Sequence, residues 1–269
     1  MDAPTASELI DEVRSALIDR GRSGRIVDVE AGHNLVYVEV ESDDGNHEAG
    51  VVHQPDGEIP DLTDRDALAV SADAARPSAD PGVRAVGIGA LNALSQPFID
   101  WHTGDPMSPD PDAVEVIAMV GLFGPVLRSF DDLEVRVLER DPNSVTLPDS
   151  LPPGVDATLH PPGAAPDVVP DADVLYVTGS TLLFGGIERY LDAAGADTVV
   201  VLVGATASFF PEPAFEAGVS VVAGAEVTDR TRVREIIAGP NCQDDLHGNG
   251  LRKVYASPDG ADLTSLALD

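Results

Sequence analysis

The sequence predicts an α/β protein of two parts: a small α+β domain over residues 1–110, followed by a larger domain over residues 111–269 built on a parallel sheet. Short segments with alternating polarity crowd the first part, as in antiparallel strands that are half buried. Continuous apolar runs separated by helical or loop segments fill the second part, as in strands covered on both faces. A chain of 269 residues, 43% of them hydrophobic, can bury a substantial core.

The first domain opens with a predicted amphipathic helix, from residue 5 or 7 to about residue 20, whose apolar residues recur at helical spacing. Three segments with strand character follow, at 24–29, 35–40 and 49–52, and predict an antiparallel meander. A helical pattern then covers 63–75. A longer helix rich in small residues is predicted at 81–94, where close backbone approach is expected.

In the second domain the apolar runs lie at 114–120, 133–138, 174–177, 198–203 and 219–222. The segment 141–170 contains too many prolines for a regular helix, and it is either a surface connection or a cleft wall. Residues from 241 onward give little signal.

The charge of the chain is strongly unbalanced. Asp and Glu number 47 against 16 Lys and Arg, for a net charge of −31, and the acids are scattered rather than gathered in a tail. Such self-repulsion is tolerated where salt screens it, so the composition predicts a halophilic protein. Without a cluster of Lys and Arg, a nucleic-acid partner is not expected.

The cysteine, histidine and hydropathy patterns indicate the cellular compartment and whether a metal site or a membrane span is expected. With Cys242 as the single cysteine, no intrachain disulfide or thiolate cluster is expected, which fits a reducing cytoplasm. Neither a signal segment nor a membrane span is predicted. The histidines are scattered, Cys242 and His247 lie five apart, and no preformed metal site is predicted.

In a doubly wound sheet, ligands bind beyond the carboxyl ends of the strands, so the residues that follow each apolar run are the informative ones. Gly121 and Gly124 follow the first run and offer backbone N–H groups to an anion or a ribose. Glu139 follows the second run, either as a ribose acceptor or as an ordinary surface acid. Thr178, Gly179, Ser180 and Thr181 follow the third, either gripping a polar ligand or capping the next helix. Gly204 follows the fourth.

Segments 121–125, 171–191 and 201–229 resemble the family known as "putative heavy-metal chelation". The resemblance implies a Rossmann-like domain preceded by a domain like the amino-terminal domain of enolase, with a ligand cleft between them. The helix at 81–94 is similar to a helix of the family that contains an asparagine, here Asn92. This chain departs from the family pattern at 184–186 and 204–206.

Together, residues and resemblance predict a small-molecule-binding protein. Its ligand would be polar, nucleoside-like or metal-chelating, a metal chelate included, and would lie in the interdomain cleft. A transferase that uses a nucleoside-containing cofactor is the alternative; no general base or nucleophile stands out, and the cofactor, turnover and homodimer formation stay open. The predicted ligand-binding residues are Asn92, Gly121, Gly124, Glu139, Thr178, Gly179, Ser180, Thr181 and Gly204.

Overall fold

A computed structural model describes residues 2–239, Leu246 and residues 248–268. The described chain forms a three-stranded antiparallel sheet and an eight-stranded, mostly parallel sheet. This arrangement confirms the predicted fold class. No helix of the described residues is long and apolar enough to cross a membrane.

The first part of the chain contains three helices and the antiparallel sheet, in the order β1-β2-β3. The elements are α1 (Ala6–Asp19), β1 (Gly24–Ala31), β2 (Leu35–Ser42), β3 (His47–His53), α2 (Ala67–Ala74) and α3 (Pro81–Ser95). Each predicted element is present, within a few residues of its predicted ends.

Local sequence explains how these elements begin and pack. Thr5 caps α1: its hydroxyl accepts from the Glu8 N–H, and the Glu8 carboxylate accepts in return from the Thr5 N–H. Helix α3 lies close against β3, because Gly50 and Gly89 have no side chains. A Cβ on Gly50 would lie 2.2 Å from the Gly89 carbonyl oxygen. The core of this part contains the buried side chains Leu9, Val13, Leu17, Val36, Val38, Val86 and Leu94.

The larger sheet has the order β4-β11-β10-β9-β8-β5-β6-β7, with β10 through β7 parallel and with β4 and β11 antiparallel at one edge. Its strands are β4 (His102–Thr103), β5 (Val116–Val120), β6 (Glu134–Leu138), β7 (Asp156–His160), β8 (Val174–Thr178), β9 (Val199–Val203), β10 (Val221–Val227) and β11 (Leu251–Ala256). The helices between them are α4 (Gly124–Leu127), α5 (Ala165–Val168), α6 (Ser180–Phe184), α7 (Ile187–Ala193), α8 (Glu212–Glu216) and α9 (Arg230–Ala238).

Three strands of this sheet were not predicted: β4, β7 and β11. Strand β7 lies inside the proline-rich segment and none of its residues is fully buried, so it carries no apolar run. Strand β11 mixes charged and apolar residues because it is antiparallel and near the edge. The predicted division at residue 110 stays a prediction, and β4, just before it, already pairs with β11.

The small domain covers one face of the larger sheet. A single buried cluster joins residues of α1, α3 and β2, such as Leu9, Leu91 and Val38, to Val120 and Val177 of the large sheet. A second cluster lies on the opposite face. At the carboxyl end of β9, the following turn contacts the end of β3, where the His53 N–H donates to Thr206 Oγ1.

Candidate functional site

The turn after β5 and the acid after β6 lie together. The Leu122 N–H donates to Glu139 Oε1 over 2.6 Å, so the carboxylate of Glu139 holds the glycine turn in place. Gly121 has a φ of +87°, in the left-handed region that favours glycine. A Cβ on Gly121 would lie 3.3 Å from Thr178 Cγ2. The structure thus brings Gly121, Glu139 and Thr178 together at one edge of the sheet.

Hydroxyls after β8 serve the turn that leads into α6. Thr178 Oγ1 accepts from the Ser180 N–H at 3.3 Å, and Thr181 Oγ1 donates to the Thr178 carbonyl at 2.8 Å. Gly179 is buried, and a Cβ there would lie 3.1 Å from the Ala207 nitrogen. Two of the three predicted hydroxyls are therefore engaged within the turn, and the Ser180 side chain is half-buried.

Asn92 links helix α3 to strand β3 and to the turn that follows β9. It is fully buried, and its Nδ2 donates to the Val51 carbonyl at 2.9 Å and to the Ala205 carbonyl at 3.0 Å. Beside it the His53 N–H donates to Thr206 Oγ1 at 3.0 Å. Helix α3 and strand β3 thereby fix the 3-10 turn Ala205–Ala207 that follows β9. In this structure the amide of Asn92 positions that turn.

A cavity of about 500 Å³ lies where the small sheet meets the larger one. Asn34, Leu35 and His53 contribute one wall, from the ends of β2 and β3. The opposite walls come from the turns after β5 and β9 and from β10 and β11. Most lining side chains are apolar. Of the predicted site residues, Gly204 lines the cavity; Gly124 stands between two residues that line it, Phe123 and Pro125.

Two charged side chains line this cavity that the sequence did not single out: Asp105 and Lys253. Lys253 Nζ forms an ion pair with Asp105 Oδ2, and Asp105 Oδ1 accepts from the Met107 N–H at 3.2 Å. One signal in the sequence could have pointed to this site, because Lys253 is the single lysine of the chain.

His53 lines the cavity and also contacts Phe184, the last residue of α6. Its ring centroid lies 6.3 Å from that of Phe184 in an edge-to-face arrangement, and the Arg140 guanidinium carbon lies 4.4 Å from the Phe184 centroid. Desolvation by the surrounding protein lowers the pKa of His53; Arg140 adds to this effect and Asp56 opposes it. The lowered pKa favours the neutral imidazole, which can donate or accept a hydrogen bond.

Among the described residues, no group of three or more His, Cys, Asp or Glu is placed to hold an ion. Cys242 and His247 lie outside the described residues. In the loop between β2 and β3, Asp44 accepts hydrogen bonds from Asn46 and Ser42. His47, at the start of β3, pairs with Glu39.

A family model described as "Putative heavy-metal chelation" matches residues 111–256, which is more than half of the chain. An uncharacterized protein of Methanocaldococcus jannaschii is 27% identical over 153 residues, a match that covers 54% of this chain and 55% of that protein. The match therefore spans about half the length of this curated relative.

Two crystal structures share the fold. One is a protein of unknown function from Pyrococcus horikoshii, with a TM-score of 0.72, 20% identity, and coverage of 93% of this chain and 100% of that one. The other is a protein of unknown function from Desulfitobacterium hafniense, with a TM-score of 0.64, 17% identity, and coverage of 93% and 98%. Both come from the family whose model matches residues 111–256.

Proposed function

Because this chain belongs to the family described as "Putative heavy-metal chelation", we propose that it binds a small organic molecule able to chelate a metal, in the cavity between its two sheets. The observation that carries the proposal is the cavity itself. Its volume of about 500 Å³ lies within the range of small-molecule sites, and both sheets contribute to its walls.

The lining fits a ligand with an apolar body and a few polar groups. Leu35, Met107, Phe123 and Val126 present apolar surface, while His53 supplies a neutral imidazole. Few, convergent polar groups on an apolar wall are typical of sites that orient a small molecule. A metal ion would enter as part of the chelate, held by the ligand's own donor atoms.

The proposal is tested by what the protein carries after gentle purification at high salt. Native mass spectrometry should detect a bound small molecule on the wild-type chain. Val126→Trp, at a half-buried cavity position, should remove that molecule by filling its space. Val155→Trp, at a half-buried position that does not line the cavity, is the matched control and should retain it. Loss from both variants, or from neither, would contradict the cavity as the site.

The setting of this activity is part of the proposal. A net charge of −31 supports a cytoplasm with high salt as the working environment, with no nucleic-acid partner. The division into residues 1–110 and 111–269 is proposed on the same footing. The transferase alternative gains no specific support, because no contact among the described residues points to a nucleoside-containing cofactor.

A further inference from the structure

We infer that the ion pair between Lys253 and Asp105 is the polar recognition element of the cavity, and that its ligand is amphoteric, with a carboxylate and a protonated amine on an apolar body. The inference rests on the proposed function and names the chemical class of its ligand. A ligand of this class would replace the internal ion pair with two new ones: its carboxylate on Lys253 and its amine on Asp105.

Asp105 is a carboxylate held in position by its own segment. Its Oδ1 accepts from the Met107 N–H, and the Met107 side chain is buried. The Pro106 carbonyl accepts from the buried Tyr176 hydroxyl at 3.1 Å. This anchoring leaves Oδ2 directed at Lys253. A preorganised acceptor of this kind binds a cation without further ordering cost.

Lys253 is the adaptable partner. Its backbone is fixed in β11, opposite Ala225 of β10, while its side chain is 51% exposed. An ion pair between side chains exposed to this degree contributes little to stability, because water screens it. Exchanging it for contacts with a ligand therefore costs little. The lysine ammonium lies on a flexible side chain, so it can adjust its position to a ligand carboxylate more readily than the planar guanidinium of arginine.

The charge of the surroundings favours a ligand that carries both signs. The chain has 47 acidic residues in 269, yet Asp105 is the one acid among the described residues that line the cavity, and Lys253 is the one lysine or arginine there. An anion alone would pair with Lys253, and a cation alone would pair with Asp105, so each would exchange one ion pair for another. An amphoteric molecule pairs with both side chains and gains one ion pair.

This ligand class agrees with the proposed function. A neighbouring amine nitrogen and carboxylate oxygen are both ligands of divalent transition metals. A molecule of this class can therefore carry a metal once its amine is deprotonated. The metal-free form, with the amine protonated, is the one that would pair with Asp105 and Lys253.

The inference is tested with three probes of one apolar body: L-phenylalanine, N-acetyl-L-phenylalanine and 2-phenylethylamine. Binding is measured by ligand-observed NMR at the lowest salt concentration that keeps the protein folded. We expect wild-type protein to bind phenylalanine at least tenfold more tightly than either singly charged probe. Lys253→Met and Asp105→Asn should each lose at least tenfold in phenylalanine affinity, and Asp105→Asn still accepts from Met107.

Arg252→Met is the matched control, because Arg252 neighbours Lys253 on β11 but pairs with Glu226 and does not line the cavity. It should change phenylalanine affinity less than twofold, and thermal melts establish that every variant folds. Equal binding of the three probes, or no binding of phenylalanine, would overturn the inference. The proposed function fails separately, when Val126→Trp retains the co-purified molecule.

Discussion

The large sheet has one end at which its parallel strands terminate, and the polar groups in the two halves of that end have different roles. In the capped half, formed by the ends of β6 and β8 and by Gly121 and Leu122 after β5, Glu139 accepts from Leu122 and Thr181 donates to Thr178. In the open half, formed by the end of β9 and by β10 and β11, Gly204 and the Lys253–Asp105 pair border a cavity. Polar residues at strand ends first satisfy their own turns, and a cavity forms where two domains meet.

Both halves depend on one packed sheet, so the largest expected effect is the loss of that sheet. With a net charge of −31, removal of salt should unfold the protein, because repulsion between surface carboxylates is no longer screened. Circular dichroism melts between about 0.1 M and molar salt measure this. An unchanged thermal transition across that range would contradict the halophilic interpretation and leave the acidic surface without this role.

How much the sequence predicts differs between core and edge. The helices of the small domain and the central strands follow from apolar periodicity, because their buried faces require it. Strands β7 and β11 escape the same reasoning. Strand β7 is an edge strand, and β11 lies next to the short edge strand β4. Polar and charged residues are tolerated there, so the apolar run disappears.

The candidate site shows a similar limit. Because parallel strands end on the same side of a sheet, the sequence places Gly121, Glu139 and Thr178 near one another, and the structure does the same. The sequence does not reveal Asp105, which reaches the cavity from the segment before the first strand predicted for the second domain. It also does not reveal His53, which reaches the cavity from the small sheet. Their sequence neighbourhoods carry no distinctive pattern. Asp105 and His53 line a common cavity only because the small sheet packs against the larger one.

A second prediction tests what holds the open half to the small domain. Asn92→Leu keeps the side-chain size but leaves the Val51 and Ala205 carbonyls without this donor. The Ala205 carbonyl keeps its bond from the Ser208 hydroxyl. Loss of the two bonds from Asn92 should lower the free energy of unfolding by about 1–3 kcal/mol. Urea unfolding at fixed salt measures the change.

Ser95→Ala is the control for Asn92→Leu. Ser95 is also buried on α3, and its hydroxyl has no hydrogen-bond partner among the described residues. Its removal should change stability by less than about 0.5 kcal/mol. Equal losses in the two variants would show that Asn92 contributes no specific link between the domains.

A third prediction concerns the capped half. Glu139→Gln retains an acceptor for the Leu122 N–H but loses its charge, so stability should fall by about 1 kcal/mol, the difference between charged and neutral hydrogen bonds. Glu134→Gln, on the same strand, removes a partner of Arg136 at an exposed position and should cost less than about 0.5 kcal/mol. Thermal melts of both variants suffice, and a larger loss at Glu134 would contradict this role of Glu139.

The smallest expected effect distinguishes the two halves directly. Ser180 was predicted to contact the ligand, in which case Ser180→Leu would block the contact and cost about 1–3 kcal/mol of affinity. The structure places Ser180 half-buried in the first turn of α6, beside hydroxyls that serve the turn, and not among the residues that line the cavity. We therefore expect phenylalanine affinity to change less than twofold and stability to change by less than about 1 kcal/mol, because the Thr178 and Thr181 bonds remain. Measuring affinity and melting temperature on one preparation separates the cases. A large fall in affinity at an unchanged melting temperature would extend the ligand site from the cavity into the capped half.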